Sequence, residues 1–329
     1  MSNNDNNSVD LLFDGIMSRD KGMLAKAITL AESTLESNNR KLEVLLKKIL
    51  PHTGHSIRIG ITGIPGVGKS TFIESFGQLL LEQGKKIGIL TIDPSSPISK
   101  GSILGDKTRM GVLNQSENVF IRPSPSSLIL GGVSMRAREV ILLFEAFGFD
   151  IIIVETVGVG QSETNVHNMV DFFLLLQISG AGDELQGIKK GIIEMTDGIA
   201  VTKADGHNLK NAKLAMSVLE QALHYLPAAP SGWKPRVLTT SALENKGIDK
   251  VWEMIQEHHR FVTSTDYFIQ NRTRQLKLWF EESLENQFKL MLNETKVKQK
   301  REVLIKSVLD GSILPFEAAK ILLDSTFKK

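Results

Sequence analysis

The sequence predicts an α/β protein in which a mostly parallel β-sheet is covered by helices on both faces and is extended by helices at both ends. Three observations lead to this prediction. Between residues 56 and 262, short runs rich in Ile and Val alternate with longer stretches of helical periodicity. These runs are apolar at successive positions, as expected for strands that are buried on both faces. Before and after this region the strand pattern is missing and helical periodicity continues.

Residues 1–55 are predicted to form a helical extension. The first eight residues are rich in Asn and Ser and are expected to fray. Apolar side chains then recur at three- and four-residue spacing, in two sets: Leu24, Ala27, Ile28, Ala31 and Leu35, followed by Leu42, Leu45, Leu46 and Ile49. Pro51 and Gly54 end the pattern. We interpret this segment as an extension that has no core of its own.

Residues 56–262 are predicted to form the central domain. Its strands are Ile57–Thr62, Ile87–Ile92, Val119–Arg122, Ile151–Glu155, Phe172–Ile178, Gly198–Thr202 and Val237–Thr240. Its helices are Lys69–Gln83, Ser134–Phe147, Leu185–Met195, Asn208–Leu223 and Ile248–Phe261. Parallel sheets of this kind bind ligands at the carboxyl ends of their strands. Residues that directly follow a strand are therefore the candidates for function.

Residues 263–329 are predicted to be helical throughout. A charged helix carries one apolar stripe, which consists of Leu276, Trp279, Phe280, Leu284, Phe288 and Leu292. Two shorter helical segments follow, around Val303–Leu309 and Pro315–Leu323. This tail cannot bury its stripe alone, so we expect it to pack on the central domain or on a second subunit.

Composition excludes several classes of function. The chain has no cysteine, which rules out disulfides, thiolate catalysis and cysteine-based metal sites, and which fits a reducing cytosol. The formal net charge of +2 gives no bulk attraction for nucleic acid or an anionic membrane. Apolar runs are too short to span a bilayer, and the polar N-terminus does not resemble a secretory signal. We expect a cytoplasmic protein with no nucleic-acid or membrane partner.

The segment GIPGVGKST after the first predicted strand matches the phosphate-binding pattern G-x-x-x-x-G-K-[ST]. Its glycines let the backbone point N–H groups at a β-phosphate beside a helix N-terminus. Lys69 is expected to reach the β- and γ-phosphates, and the Ser70 hydroxyl is suited to Mg²⁺. The central domain is therefore predicted to be a P-loop NTPase. The predicted nucleotide-binding residues of the loop are Gly63, Ile64, Pro65, Gly66, Val67, Gly68, Lys69, Ser70 and Thr71.

Two later motifs indicate that the base is guanine. The sixth predicted strand leads into Thr202, Lys203, Ala204 and Asp205. The Asp205 carboxylate can accept from the ring N–H and the amino group of guanine, an arrangement that adenine lacks, while the Lys203 stem can lie along the ring. A backbone N–H of the segment after the last strand can meet guanine O6; this segment is Ser241, Ala242 and Leu243. Either motif alone fits a surface turn equally well, but their order after a P-loop favours GTP or GDP.

Acidic residues after other strands suit a metal and hydrolysis. Glu155 ends a strand of β-branched residues and is expected to hold Mg²⁺, directly or through water, while Gly158 can offer its amide to the γ-phosphate. Asp93 follows the second strand and is expected to bind the metal or orient the attacking water. Asp106 is either an outer metal ligand or a helix N-cap, and both roles are compatible. The predicted catalytic residues are Lys69, Asp93 and Glu155.

The glycine-rich segment 180–190 follows the fifth predicted strand. It contains both acidic and basic residues and is interpreted as a mobile loop available to a partner or to the γ-phosphate. Its basic pair, Lys189 and Lys190, fits a solvated helix face equally well.

Together these motifs resemble the MeaB/ArgK (MMAA-like) family of P-loop GTPases along almost the whole chain. The resemblance is carried by the P-loop, by DPSS and KGSILGDKTRM after the second strand, and by the long segments ETVGVGQSE and GDELQGIKKG. It implies a slow, partner-regulated GTPase that converts GTP and water to GDP and phosphate. It further implies a chaperone that gates cofactor loading and protects an adenosylcobalamin-dependent methylmalonyl-CoA mutase or a related acyl-CoA mutase.

The resemblance also implies roles for individual segments. Family members are typically homodimers joined through their C-terminal helices, which would give the apolar stripe a use. The metal-site positions of the family match Ser70, Asp93, Asp106 and Glu155. A third switch loop that senses the partner matches Asp183, Glu184, Gln186, Lys189 and Lys190. Thr202 stands where many relatives have Asn, which raises the question of which group makes the hydrogen bonds of that Asn to the P-loop and the base.

Two other functions fit a P-loop protein. A metallochaperone GTPase that serves another metalloenzyme would favour a His- or Cys-rich tract, and the sequence has none. A P-loop kinase linked to amino-acid transport would need an acceptor pocket and an arginine-bearing lid, for which the sequence shows no pattern.

Overall fold

The computed structural model describes residues 3–33, 35–93, 110–125, 136–156, 162–179 and 190–327. The chain forms two compact units, Met1–Asn271 and Arg272–Lys329.

The first unit is built on a seven-stranded sheet in the order β3-β2-β4-β1-β5-β6-β7. The strands are β1 (Ile57–Gly63), β2 (Ile87–Asp93), β3 (Val119–Pro125), β4 (Ile151–Thr156), β5 (Phe172–Ile178), β6 (Gly198–Thr202) and β7 (Arg236–Thr239). Every neighbouring pair of these strands is parallel. The predicted fold class is therefore confirmed, and each of the seven predicted strands is present with small shifts at its ends.

Helices lie between and before these strands. They are α1 (Asn3–Met17), α2 (Lys21–Ala31), α3 (Glu36–Ile49), α4 (Lys69–Glu82), α5 (Ala137–Phe147), α6 (Ser162–His167), α7 (Lys190–Glu194), α8 (Leu209–His224) and α9 (Ile248–Ser264). Short 3₁₀ turns occupy Leu50–His52, Leu113–Gln115 and Gly206–Asn208.

The N-terminal helices and α5 cover one face of the sheet. Val9, Leu24 and Leu45 share a buried apolar cluster with Phe144 of α5 and Ile152 of β4. This cluster buries the apolar faces of α1–α3 against the sheet layer, because three short helices cannot shield one another fully. The N-terminal helices thus share a buried core with the sheet.

Two details of the N-terminal segment differ from prediction. The expected fraying of residues 1–8 is wrong for most of the segment, since α1 already begins at Asn3. Leu35 does not continue the apolar face of α2, and it is 63% exposed. The reason is that α2 ends at Ala31 and the next helix, α3, starts only at Glu36.

The opposite face of the sheet is covered by α4 and α9. Phe72 and Phe76 of α4 are buried with Ile89, Ile153 and Trp252 in a second apolar cluster. The side chain of Trp252 also donates a hydrogen bond to the side chain of Gln83, at 2.8 Å. A third, smaller apolar cluster packs α8 against β6 and β7. With α4 fixed in this way, the P-loop that precedes it is held at the carboxyl edge of the sheet.

The second unit is helical. It contains most of α10 (Tyr267–Leu292), followed by α11 (Thr295–Leu309) and α12 (Pro315–Phe327). The predicted apolar stripe lies on α10, where Leu276 is 62% exposed and Phe280 is 65% exposed. In the described part of the chain, no helix combines the length and the apolar character that crossing a bilayer requires.

Candidate nucleotide-binding site

The P-loop connects β1, which ends at Gly63, to α4, which begins at Lys69. Gly66 and Gly68 have φ angles of 80° and 100°, a region that residues with a Cβ rarely adopt. At Gly63 a Cβ atom would lie 2.6 Å from the carbonyl oxygen of Leu176, so the strand can pass β5 there only with glycine. The glycines of the motif are therefore required by the backbone itself.

The loop has the features of an anion cradle. The N-cap of α4 is Gly68, which has no side chain, so the N–H groups of the first turn face the loop without a competing acceptor from the cap residue. A Cβ atom at Gly66 would meet nothing within 4 Å, which leaves the surface of the loop open at this point. These residues fit the phosphates of a nucleotide.

Lys69 lies folded over the loop. Its ammonium group donates to the carbonyl oxygens of Gly63 at 2.7 Å and Ile64 at 3.2 Å. Burial lowers the pKa of Lys69 below its ordinary value, while the carboxylates of Glu155 and Glu163 act in the opposite direction. The hydrogen bonds of this half-buried cation to described residues go to neutral carbonyl oxygens, so it is poised to move to a stronger anionic acceptor, such as a phosphate.

Two buried carboxylates therefore belong to the surroundings of Lys69. Glu155, near the end of β4, is 9% exposed, and Glu163, in α6, is 3% exposed. The first was predicted as a site residue. The second was assigned no role from the sequence, although it closes the ETVGVGQSE segment that carries the family resemblance.

The oxygen donors of the described site suit Mg²⁺. The Ser70 hydroxyl lies in the first turn of α4 and the Glu155 carboxylate at the edge of the sheet, and hard oxygen ligands of this type are those that Mg²⁺ prefers. The backbone of Asp93 ends β2 and that of Lys190 begins α7. Several predicted site residues lie outside the described residues: Asp106, Gly158, Asp183, Glu184, Gln186 and Lys189.

The loop after β6 is bonded directly to the P-loop. The Thr202 hydroxyl lies 2.7 Å from the carbonyl oxygen of Val67 and 3.0 Å from that of Gln177, so one donor links the P-loop to two neighbouring strands. Lys203, with a φ of 55°, donates from its ammonium group to the Gly66 carbonyl at 2.9 Å. The hydrogen bond to the P-loop that an Asn side chain would make is therefore made here by threonine.

The loop after β7 forms a hydrogen bond to the predicted guanine-binding carboxylate of Asp205, which lies in the loop after β6. The Ser241 hydroxyl donates to Asp205 at 2.6 Å and itself accepts the backbone N–H of Glu244 at 3.1 Å. The backbone N–H of Ser241 donates to the carbonyl of Lys246 at 2.9 Å. Since that amide is engaged within the loop, the amides of Ala242 and Leu243 remain the candidates for the predicted contact with guanine O6.

Further bonds fix these loops to one another. The backbone N–H of Ala204 donates to the carbonyl of Thr240 at 3.0 Å, which aligns the two loops that follow β6 and β7. The Ser75 hydroxyl on α4 donates to the carbonyl of Ala242 at 3.0 Å. The P-loop and the loops after β6 and β7 thus form one hydrogen-bonded unit at the carboxyl edge of the sheet.

Comparison with known proteins agrees with this geometry. The family described as "Methylmalonyl Co-A mutase-associated GTPase MeaB" matches residues 24–297. The Escherichia coli (strain K12) protein named GTPase ArgK is 48% identical over 298 residues, which cover 90% of each chain. The Mus musculus protein named methylmalonic aciduria type A homolog, mitochondrial, is 40% identical over 334 residues, covering 98% of this chain and 80% of that protein. The crystal structure described as LAO/AO transport system kinase matches with a TM-score of 0.76 at 36% identity and covers 98% of each chain.

Proposed function

The chain belongs to the MeaB family of methylmalonyl-CoA mutase-associated P-loop GTPases, and on this premise we propose that it is a Mg²⁺-dependent GTPase that serves an adenosylcobalamin-dependent mutase. In this role it binds GTP and GDP, hydrolyses GTP slowly, gates cofactor loading and protects methylmalonyl-CoA mutase or a related acyl-CoA mutase. The absence of cysteine and the small net charge fit a cytoplasmic protein without a nucleic-acid partner.

The observation that carries the proposal is the bonding between the P-loop and the two base loops. Lys203 reaches Gly66, Thr202 reaches Val67, and Ser241 orients Asp205. A protein that bound any nucleoside triphosphate would need only the phosphate cradle. Here a carboxylate is held by a serine hydroxyl beside that cradle, which favours guanine because both oxygens of a carboxylate can accept from its N–H groups.

Hydrolysis is assigned to the groups around the phosphates. Lys69 neutralises charge on the β- and γ-phosphates, and Ser70 and Glu155 hold Mg²⁺, with Asp93 and Asp106 as the further acidic positions. Held by Ser70 and Glu155, Mg²⁺ would supply positive charge that offsets the negative charge of the phosphates during transfer to water. The amide of Gly158 is proposed to contact the γ-phosphate.

The partner is proposed to act through the 180–190 loop, and two chains are proposed to associate through the C-terminal helices. Asp183, Glu184, Gln186, Lys189 and Lys190 form the proposed partner-sensing set. The exposed stripe on α10 supports the homodimer, since large apolar side chains on one helix face favour association with another surface. We assign residues 1–55 to the helical extension, 56–262 to the GTPase domain and 263–329 to dimerisation.

Guanine selection is tested by calorimetric titration of GDP and ADP. GDP is expected to bind at least about tenfold more tightly, because ADP would leave the Asp205 carboxylate without its donors. Asp205→Asn should shift the preference towards xanthosine diphosphate, whose carbonyl replaces the amino group. Equal affinities for GDP and ADP would contradict the assignment of the base.

The client is tested with purified methylmalonyl-CoA mutase. Phosphate release from GTP should rise when the mutase is added, and Lys189→Ala should reduce this rise while leaving the basal rate unchanged. Lys69→Ala, which removes the phosphate-binding cation, should abolish both rates. Transfer of phosphate to an acceptor other than water would instead support the kinase alternative.

A further inference from the structure

Thr91 and Glu155 lie side by side on the sheet face that carries α4. They are paired positions of the neighbouring strands β2 and β4, and paired residues of parallel strands, about 4.8 Å apart, point to the same face. Two residues earlier, the paired side chains of Ile89 and Ile153 belong to the core beneath α4. Because side chains alternate along a strand, Thr91 and Glu155 project into the same layer, closer to the P-loop.

The Thr91 side chain is a buried polar group that packing alone does not explain. Thr91 is 4% exposed, and within the described part of the chain its hydroxyl oxygen has no hydrogen-bond partner. A buried hydroxyl without a partner is destabilising, and native proteins keep few of them. Valine would fill nearly the same space without that cost, so the hydroxyl calls for another explanation.

Glu155 has two neighbours in the sheet, and they differ in chemistry. On the β1 side it pairs with Ile61, which is apolar and fully buried. On the β2 side it pairs with Thr91. Of these two paired side chains, threonine is the one that can donate a hydrogen bond to a carboxylate. A rotation about the χ1 angle of Thr91 is sufficient to change where its hydroxyl points.

We propose that Thr91 is a positioning residue for the metal site. Its hydroxyl donates to the Glu155 carboxylate when Mg²⁺ and the nucleotide are bound, and so holds that carboxylate in its metal-binding orientation. This inference rests on the proposed function, in which Glu155 is a metal ligand. Hydrogen bonds to a ligating carboxylate commonly contribute about 10- to 100-fold to metal affinity.

The test is the Mg²⁺ dependence of GDP binding, followed with a fluorescent GDP analogue. For Thr91→Val, the Mg²⁺ concentration that produces half of the maximal gain in GDP affinity should rise by roughly 10-fold. Nucleotide binding without metal should stay unchanged, because the P-loop and base loops are untouched. Thr91→Ser, which keeps the hydroxyl, should behave as the wild type does. The melting temperature of the nucleotide-free Thr91→Val protein should equal or exceed that of the wild type.

A matched control is Ser124→Ala on β3. Ser124 is 2% exposed and its hydroxyl likewise has no partner among the described residues, but it pairs with Ile92 on the opposite face of the sheet. Ser124→Ala should leave the Mg²⁺ dependence of GDP binding unchanged.

Equal Mg²⁺ dependence of GDP binding in Thr91→Val and the wild type would overturn the inference, as would a lower melting temperature of nucleotide-free Thr91→Val. If Thr91→Val fails to fold, Thr91→Ala is measured in the same way. Lack of any Mg²⁺ dependence in the wild type would instead overturn the metal site itself.

Discussion

At the scale of single residues, Thr202 shows how a small side chain joins two parts of the site. Its hydroxyl lies within hydrogen-bond distance of the carbonyl oxygens of Val67 and Gln177, and the residue is 5% exposed. A threonine hydroxyl has one hydrogen to donate, so the two carbonyls share it. The contact holds the loop after β6, which is proposed to bind the base, at a fixed distance from the P-loop.

Thr202→Val is expected to weaken GDP binding by roughly 5- to 10-fold, since losing a buried hydrogen bond costs about 1 kcal/mol or more. Calorimetry on the wild type, Thr202→Val and Thr202→Ser measures the effect. The serine variant keeps the donor and should bind nearly as the wild type does. Unchanged affinity in the valine variant would show that the contact does not position the base loop.

A second prediction concerns the pH dependence set by Lys69. Burial lowers the pKa of Lys69 below 10.5, and Glu163 raises it. GDP affinity should therefore fall as the pH rises through this pKa, because the neutral amine no longer attracts phosphate. In Glu163→Gln the fall should begin at lower pH, since a carboxylate that favours the charged form is gone.

This prediction is checked by fluorescence titrations with GDP between about pH 7 and 10, the range below the ordinary pKa of lysine. Ionisation of the guanine ring contributes equally to both proteins, so the difference between them reports on Lys69. Glu139→Gln makes the same chemical change at a buried glutamate of α5, on the other face of the sheet, and should leave the profile unchanged. Coincident profiles for the wild type and Glu163→Gln would refute the coupling.

At the scale of secondary-structure elements, α5 carries a buried acid, Glu139, whose charged form is costly to bury. Glu139 is 5% exposed and accepts a hydrogen bond from Arg136 at 2.9 Å, while Arg136 also donates to Asn39 at 2.7 Å. Burial nevertheless raises the pKa of Glu139, against the smaller opposing effect of Arg136. Desolvation of the carboxylate therefore outweighs its attraction to arginine.

Glu139→Gln is expected to stabilise the fold, by about 1 kcal/mol or more at neutral pH, because an amide is less costly to bury than a carboxylate. The pKa of Glu139 in the folded protein lies above the unfolded value of 4.5. The destabilisation caused by its buried carboxylate is therefore absent below pH 4.5 and grows as the pH rises through the folded pKa. Urea unfolding at pH 5 and pH 8 measures it. If the stabilisation by Glu139→Gln were no larger at pH 8 than at pH 5, the predicted direction of the effect would be wrong.

The sequence predicts elements better than it predicts contacts between them. The strands and the P-loop are readable because buried β-branched runs and a glycine-rich turn have local signatures. The end of α2 before Leu35 has no such signature, since the spacing of apolar residues continues through it. Likewise, the approach of Glu163 to Lys69 and the pairing of Thr91 with Glu155 depend on strand order and helix placement, which no local pattern encodes.

At the scale of the whole molecule, the stripe on α10 predicts self-association. Phe280→Glu together with Leu284→Glu should give monomers by light scattering, since charged side chains would be buried at the interface. Lys289→Glu is the control, because Lys289 lies nine residues after Phe280 and therefore on the opposite face of the helix. Both variants should keep their helical circular dichroism. A dimer that persists in the double variant would exclude this face as the interface.

The shared cluster that packs α1–α3 against the sheet also affects the order in which the protein can fold as it is made. These helices leave the ribosome before the sheet does, and the buried residues of β4, α5 and β5 that cover their apolar faces extend as far as Phe173. At about 5–20 residues per second, the nascent helices wait on the order of ten seconds for their partners. During synthesis the apolar faces of α1–α3 therefore stay exposed to water until β5 has emerged.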